Sequence, residues 1–95
     1  MQTNIVSVKY EDKYEPQTFG GIAYSYLAGI RLNVGDLVMA PTKNGEQLAR
    51  VSEIDIPLER IENNPKINLS ELKTITKKID RETYINFAVI VEDVA

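Results

Sequence analysis

The chain has 95 residues, of which 43% are hydrophobic and 26% are charged, so it is long enough for one small globular domain, 1–95, with a single core. It contains no cysteine and no histidine, which excludes disulfides and thiolate zinc sites and removes the usual general base near neutral pH. The net charge of −3 gives no global support for binding to phosphates. No stretch approaches the roughly 20 apolar residues of a membrane span and the first residues lack a secretory signal, so we expect a cytoplasmic protein without membrane association.

Two short strands are predicted in the first third of the chain. Residues 5–10, IVSVKY, are mostly β-branched and indicate the first strand. A polar connection ends in two glycines, and residues 22–27 indicate the second strand. Alternation along this second strand places Tyr24 and Tyr26 on one face.

Residues 32–51, LNVGDLVMAPTKNGEQLARV, predict a two-stranded hairpin around Asn44-Gly45. Asn-Gly is typical of a two-residue type I′ turn because both residues tolerate a positive φ. With that loop, the predicted pairs run from Lys43 opposite Glu46 outward to Val38 opposite Val51. Four small or branched residues then share the face that we expect to be buried: Val38, Ala40, Ala49 and Val51.

The region after the hairpin is harder to interpret. Residues 55–69 contain two prolines and an Asn-Asn pair, which favours a long irregular excursion. Residues 72–79 fit a helix preceded by a capping box at 68–71, or a strand rich in β-branched side chains. We favour the strand, because a partial barrel needs one more strand to close its edge.

The last part of the chain predicts an amphipathic helix over about residues 80–92. Its apolar positions are spaced at i, i+3, i+4 and i+7, and Asp80 is a suitable N-cap. The competing interpretation is a final strand through residues 86–91. Together, the elements predict a mainly β fold with a C-terminal α-helix, as a small SH3-like or OB-like partial barrel of about five strands.

Several short motifs resemble those of known proteins: Tyr24 and Tyr26, Val34-Gly35-Asp36, residues 38–42, Gly45, Ala49 with Val51, residues 73–80 and Tyr84. In this order they resemble a group of small phage and bacterial β-barrel proteins of unknown function, which implies a fold and no activity. The aromatic strand and hairpin are also similar to the N-terminal DNA-end-binding domain of the primosomal replication-restart helicase. That likeness implies a site for a DNA 3′ end, although the basic character and the remaining helicase motifs are missing here.

One candidate site is a surface that binds single-stranded DNA. Aromatic side chains at i and i+2 can form a platform on which bases stack, and residues 66–81 hold five basic residues against two acidic ones. The competing interpretation makes both tyrosines core residues of a barrel strand. The candidate nucleic-acid-binding residues are Tyr24, Tyr26, Arg31, Lys73, Lys77 and Lys78.

A second candidate is a protein-interaction surface on the outward face of the hairpin. Apolar residues rimmed by charge are typical of such surfaces. The competing interpretation is that the predicted C-terminal helix covers this face. The candidate residues are Leu37, Met39, Leu48 and Arg50.

No catalytic or metal site is predicted. Glu53 and Asp55 are interpreted as ordinary strand charges, and the serines have no histidine base. We therefore expect a non-enzymatic binding or assembly module without cofactor, acting on a protein partner or on a second copy in a phage or bacterial DNA-transaction setting. The alternative is direct binding of single-stranded DNA or a DNA end.

Overall fold

The computed structural model describes residues 3–12, 14–15 and 18–80, so the predicted helix lies outside the described residues apart from Asp80. The mainly β class is confirmed, and the described residues alone form six strands where about five were predicted. The elements in chain order are β1 (Ile5–Tyr10), β2 (Tyr24–Ala28), β3 (Leu37–Thr42), β4 (Gly45–Glu53), α1 (Leu58–Glu62), a 3₁₀ turn (Leu69–Glu71), β5 (Thr74–Ile75) and β6 (Lys77–Ile79).

A single segment closes the sheet from both sides. The strand order is β5-β2-β1-β4-β3-β6, in which β5 runs parallel to β2 and β6 runs antiparallel to β3. Because only Thr76 separates β5 from β6, residues 74–79 join both edges into a nearly closed barrel, and we name them the closing segment. The predicted strand over 72–79 is confirmed in part, because this stretch forms two short strands, at 74–75 and 77–79, in place of one. The alternative prediction, a helix over 72–79, is wrong. The predicted capping residues belong instead to the short 3₁₀ turn, where the Asn68 side chain accepts a hydrogen bond from the Ser70 amide at 3.1 Å.

The interior of the barrel is filled by alternate residues of the strands. The predicted inward face of the hairpin is confirmed, because its four residues are at most 1% exposed. We call the junction where the closing segment lies between β2 and β3 the seam. Ile75 of the closing segment fills the core from that side. The buried members of the barrel core are Val6, Val8, Tyr26, Leu32, Val38, Ala40, Ala49, Val51 and Ile75.

The hairpin loop lies one residue earlier than predicted. Thr42 faces Gly45, so Lys43-Asn44 is the loop, and Val38 pairs with Ala49 instead of Val51. Gly45, at φ 106°, is the only residue of this turn with a positive φ, which rules out the predicted type I′ geometry. The Thr42 hydroxyl stabilises the turn by accepting a hydrogen bond from the Asn44 amide at 3.1 Å. A shift of two positions between partners leaves every side chain on its predicted face.

A second, smaller core lies on the outside of the barrel. It consists of Ile5, Ile56 and Ile61, with Leu27 and Ile67 packed against it. The predicted irregular excursion over 55–69 is thus partly wrong, because α1 folds within it and the 3₁₀ turn begins at its last residue. The five residues of α1 are too few to give a helical repeat in the sequence, and burial of Ile61 holds this turn of helix against the sheet.

Gly29 is required where the closing segment passes β2. A Cβ atom at this position would lie 2.8 Å from Thr74 Cγ2 and 3.1 Å from the Ile75 carbonyl oxygen. We expect Gly29→Ala to lower the free energy of unfolding by about 1–3 kcal/mol, because the backbone of β5 must move away. Gly20→Ala is the matched control, since a Cβ atom there has no neighbour within 4 Å. Equal urea denaturation midpoints for the two variants would contradict this account of the seam.

Candidate binding groove at the barrel seam

The closing segment joins the two sheet edges over only part of their length. β5 pairs with β2 at Leu27 and Ala28, and β6 pairs with β3 at residues 37–39. Toward the hairpin loop, no described strand pairs with this edge of residues 24–26 or of residues 40–42. The gap between them is a groove of about 290 Å³, with residues 66–73 along one side, and we name it the seam groove.

Proline is well suited to the β3 side of the seam groove. Proline has no backbone N–H and is confined in sheets to edges and strand ends. Pro41 lies beyond the last β6 pairing, and its carbonyl oxygen accepts a hydrogen bond from the Tyr26 hydroxyl at 2.9 Å. This bond links β2 to β3 across the gap, so the seam stays narrow without a strand between them.

Three tyrosines pack at this end of the barrel, and they differ in exposure. Tyr26 is 6% exposed and belongs to the barrel core, whereas Tyr24 is 45% exposed. The Tyr10 and Tyr24 rings lie 5.0 Å apart between centroids, which fixes the Tyr24 ring beside the groove. Because Tyr26 donates its proton to Pro41, the Tyr10 hydroxyl is the donor in the Tyr10–Tyr26 hydrogen bond. Tyr24 is thus the aromatic surface that a ligand can reach.

Burial raises the pKa of Tyr26 well above its ordinary value, and the neighbouring Tyr10 and Tyr24 phenols raise it further by electrostatic repulsion. Since the folded pKa exceeds the unfolded pKa of about 10, the proton is held more tightly in the folded protein. The resulting contribution to stability is complete below pH 10 and is lost as the pH rises above it. At physiological pH the Tyr26 phenol is therefore a neutral donor that holds the groove floor.

The charged side chains that line the seam groove are Lys66, Glu71 and Lys73. Lys66 belongs to the basic stretch noted in the sequence. It lines the groove because residues 66–73 run along the seam, which the sequence pattern did not predict. Among the described residues, none of these three forms an ion pair. Counted over the described lining, two cations against one anion give the groove a local positive excess on an acidic protein.

The six predicted nucleic-acid-binding residues do not form one surface. Tyr24, Tyr26 and Lys73 line the seam groove, with Tyr26 at its floor. Lys77 is ion-paired with Glu46 at 2.9 Å, and Lys78 lies 3.4 Å from the Asp36 carboxylate. Arg31 lines a different cavity.

The predicted protein-interaction face offers little open apolar area. Leu37 is buried, and Met39 and Leu48 are half-buried. Arg50 is exposed, with its guanidinium 5.2 Å from the centre of the Phe19 ring. The predicted strand charge Glu53 pairs with Arg60 of α1. The seam groove is therefore more accessible to a ligand than the outward face of the hairpin.

The fold and the groove define a small β-barrel that is open along part of one seam. No protein-family model, curated protein or solved structure matches the chain. Within residues 3–80, as far as they are described, no helix is long and apolar enough to cross a bilayer. The same residues bring together no group of three or more acidic side chains placed to hold a metal ion.

Proposed function

We propose that this protein is a non-enzymatic binding module that holds an extended, acidic segment of a partner protein in the seam groove. The observation that carries the proposal is the position of Tyr24, half-exposed beside a groove whose two strand edges have no described partner. Extended peptides bind such places by adding hydrogen bonds along a strand edge and by packing against aromatic side chains.

Charge supports an acidic partner segment. Lys66 and Lys73 outnumber Glu71 along the groove, although the whole chain carries a net charge of −3. Electrostatic complementarity at a groove selects partners and increases the association rate more than it adds affinity. The partner is therefore expected to carry acidic residues next to the part that lies over Tyr24.

Single-stranded DNA is the second candidate ligand, and the same Tyr24 favours it. A base stacked on an aromatic side chain contributes about 1–3 kcal/mol, and lysines can contact the flanking phosphates. Because DNA carries a negative charge on every nucleotide, Glu71 in the groove and the net negative charge oppose it more strongly than they oppose a peptide with a few acidic residues. The phage or bacterial DNA-transaction setting and the cytoplasmic location stay predictions.

The proposal is tested by selecting binders from a random peptide library displayed on phage, with the full chain immobilised. We expect the selected peptides to be enriched in aspartate and glutamate. Tyr24→Ala should weaken their binding at least about tenfold, which corresponds to ~1.4 kcal/mol. Tyr14→Ala is the matched control, because Tyr14 is 88% exposed and does not line the groove. Lys73→Gln should weaken binding in a salt-dependent manner, whereas Lys43→Gln at the hairpin loop should not.

A labelled oligothymidylate, titrated at low and high salt, separates the two ligands. Binding at low salt that weakens with salt and is lost in Tyr24→Ala would favour DNA and overturn the peptide proposal. Peptides that bind Tyr24→Ala as tightly as the unmodified chain would show that the groove is not the site. Met39→Glu tests the outward face of the hairpin. Loss of peptide binding in this variant would show that the peptide binds that face and not the seam groove.

A further inference from the structure

A second cavity lies at the other end of β2, away from the seam groove. Its volume is about 500 Å³, and it is lined by the chain before and within β1, by residues 28–33, and by Ile54 and Asp55. Val6 and Leu32 are buried at 2% and 7% exposure and form part of an apolar floor with Ile30. Small-molecule sites in proteins have volumes of about 300–1,000 Å³ and combine an apolar lining with a few polar groups.

The cavity carries one side chain of each charge. Arg31 is exposed and Asp55 is half-buried. In the described part of the chain, neither forms an ion pair or a side-chain hydrogen bond, with the other or with any third residue. The amide side chains of Asn4 and Asn33 line the same cavity. A ligand with both charges can therefore meet a free partner for each of them.

The backbone explains the residue type at position 55 only in part. Asp55 has a φ of 53°, the only positive φ outside glycine among the described residues. This turn is needed because Ile54 packs against the barrel core whereas Ile56, two residues later, belongs to the outer core, and residues two apart on an extended strand would lie on the same face. Asparagine or glycine would adopt the same conformation as readily. The turn therefore requires a small set of residue types, but it does not require a negative charge facing the cavity.

We propose that this cavity binds a small zwitterion, namely a free α-amino acid with an apolar side chain. Arg31 pairs with the carboxylate, Asp55 accepts hydrogen bonds from the ammonium group, and the apolar floor receives the side chain. Arginine matches a carboxylate because its guanidinium can donate two parallel hydrogen bonds. This site is independent of the seam groove and of the function proposed for it.

The test is a titration of the full, isotopically labelled chain with L-leucine, followed by amide NMR. We expect saturable shifts at millimolar concentration in residues that line the cavity. Two analogues each remove one charge: leucinamide lacks the carboxylate and N-acetylleucine lacks the ammonium group. Each should bind at least about tenfold more weakly than leucine, which corresponds to ~1.4 kcal/mol per lost charge.

Two variants assign each charge to its partner. Asp55→Asn, which keeps the turn, should weaken binding of leucine and leucinamide and leave N-acetylleucine unchanged. Arg31→Gln should weaken leucine and N-acetylleucine and leave leucinamide unchanged. Glu59→Gln and Lys43→Gln are controls that remove one exposed charge outside the cavity. The proposal would be overturned if leucine caused no saturable shifts or if both analogues bound as tightly as leucine. It would also be overturned if Asp55→Asn and Arg31→Gln each affected the two analogues equally.

Discussion

Ile75→Ala is expected to lower the free energy of unfolding by about 2–5 kcal/mol, one of the two largest single effects in this chain. Ile75 is 0% exposed and fills the barrel core from the closing segment. Truncation removes its buried methyl and methylene groups and leaves a cavity at the point where β5 meets β2. Chemical denaturation followed by circular dichroism measures the loss.

Amide hydrogen-exchange rates can show whether Ile75→Ala weakens the hydrogen bonds between β2 and the closing segment. The Leu27 amide donates to the Lys73 carbonyl at 2.9 Å, and the Gly29 amide donates to the Ile75 carbonyl at 2.8 Å. Between them, the Ala28 amide donates away from the seam, to Asn4 at 2.7 Å. In Ile75→Ala, we expect exchange at Leu27 and Gly29 to accelerate more than exchange at Ala28.

Ile22→Ala is the control for Ile75→Ala. Ile22 is 71% exposed, so its truncation should change the free energy of unfolding by less than about 0.5 kcal/mol. A loss below about 1 kcal/mol for Ile75→Ala would mean that the closing segment does not stabilise the barrel as its burial indicates.

Ile61→Ala should cost a similar amount, about 2–5 kcal/mol, through the outer core instead of the barrel interior. Ile61 is 2% exposed and is the buried residue of α1, where it packs with Ile5 and Ile56. The ion pair between Arg60 and Glu53 cannot replace this contact, because both side chains are about half exposed and water screens them. Thermal or urea denaturation measures the loss.

The effect of Ile61→Ala should reach the seam groove. Ile67 packs against the outer core and also lines the groove, so it connects α1 to residues 66–73. Peptides selected on the unmodified chain should therefore bind Ile61→Ala more weakly. Leu58→Ala is the matched control on the same helix, because Leu58 is 42% exposed and does not line the groove. If Ile61→Ala and Leu58→Ala cost the same, the outer core is not a packed unit.

Local patterns in the sequence predicted β1, the two strands of the hairpin and the inward face of that hairpin, whereas β2 was placed at 22–27 instead of Tyr24–Ala28. β1 has the predicted limits, and Val38, Ala40, Ala49 and Val51 are all buried because strand alternation does not depend on the turn type. The loop position was wrong because Asn44 does not adopt a positive φ and only Gly45 does. When the loop moves by one residue, the partners across the hairpin shift by two positions, and each side chain stays on the same face of its strand.

The candidate sites were harder to predict, because long-range pairing decides which side chains meet. Lys77 and Lys78 lie opposite Met39 and Val38 once β6 joins β3, and each then pairs with a nearby carboxylate. The sequence contains the two lysines and the acids but not this register. The same limit applies to Lys66, which joins Tyr24 only because residues 66–73 cross the seam.

The closing segment has a consequence for synthesis on the ribosome. Because residues 74–79 supply the described strands that pair with the outer edges of β2 and β3, the nascent chain before Thr74 lacks these partners. A translation product that stops before Thr74 would be a curved, unfinished sheet whose exposed sides invite pairing with other polypeptides. Completion of the barrel must therefore wait until this stretch leaves the exit tunnel, and premature termination is expected to yield insoluble material.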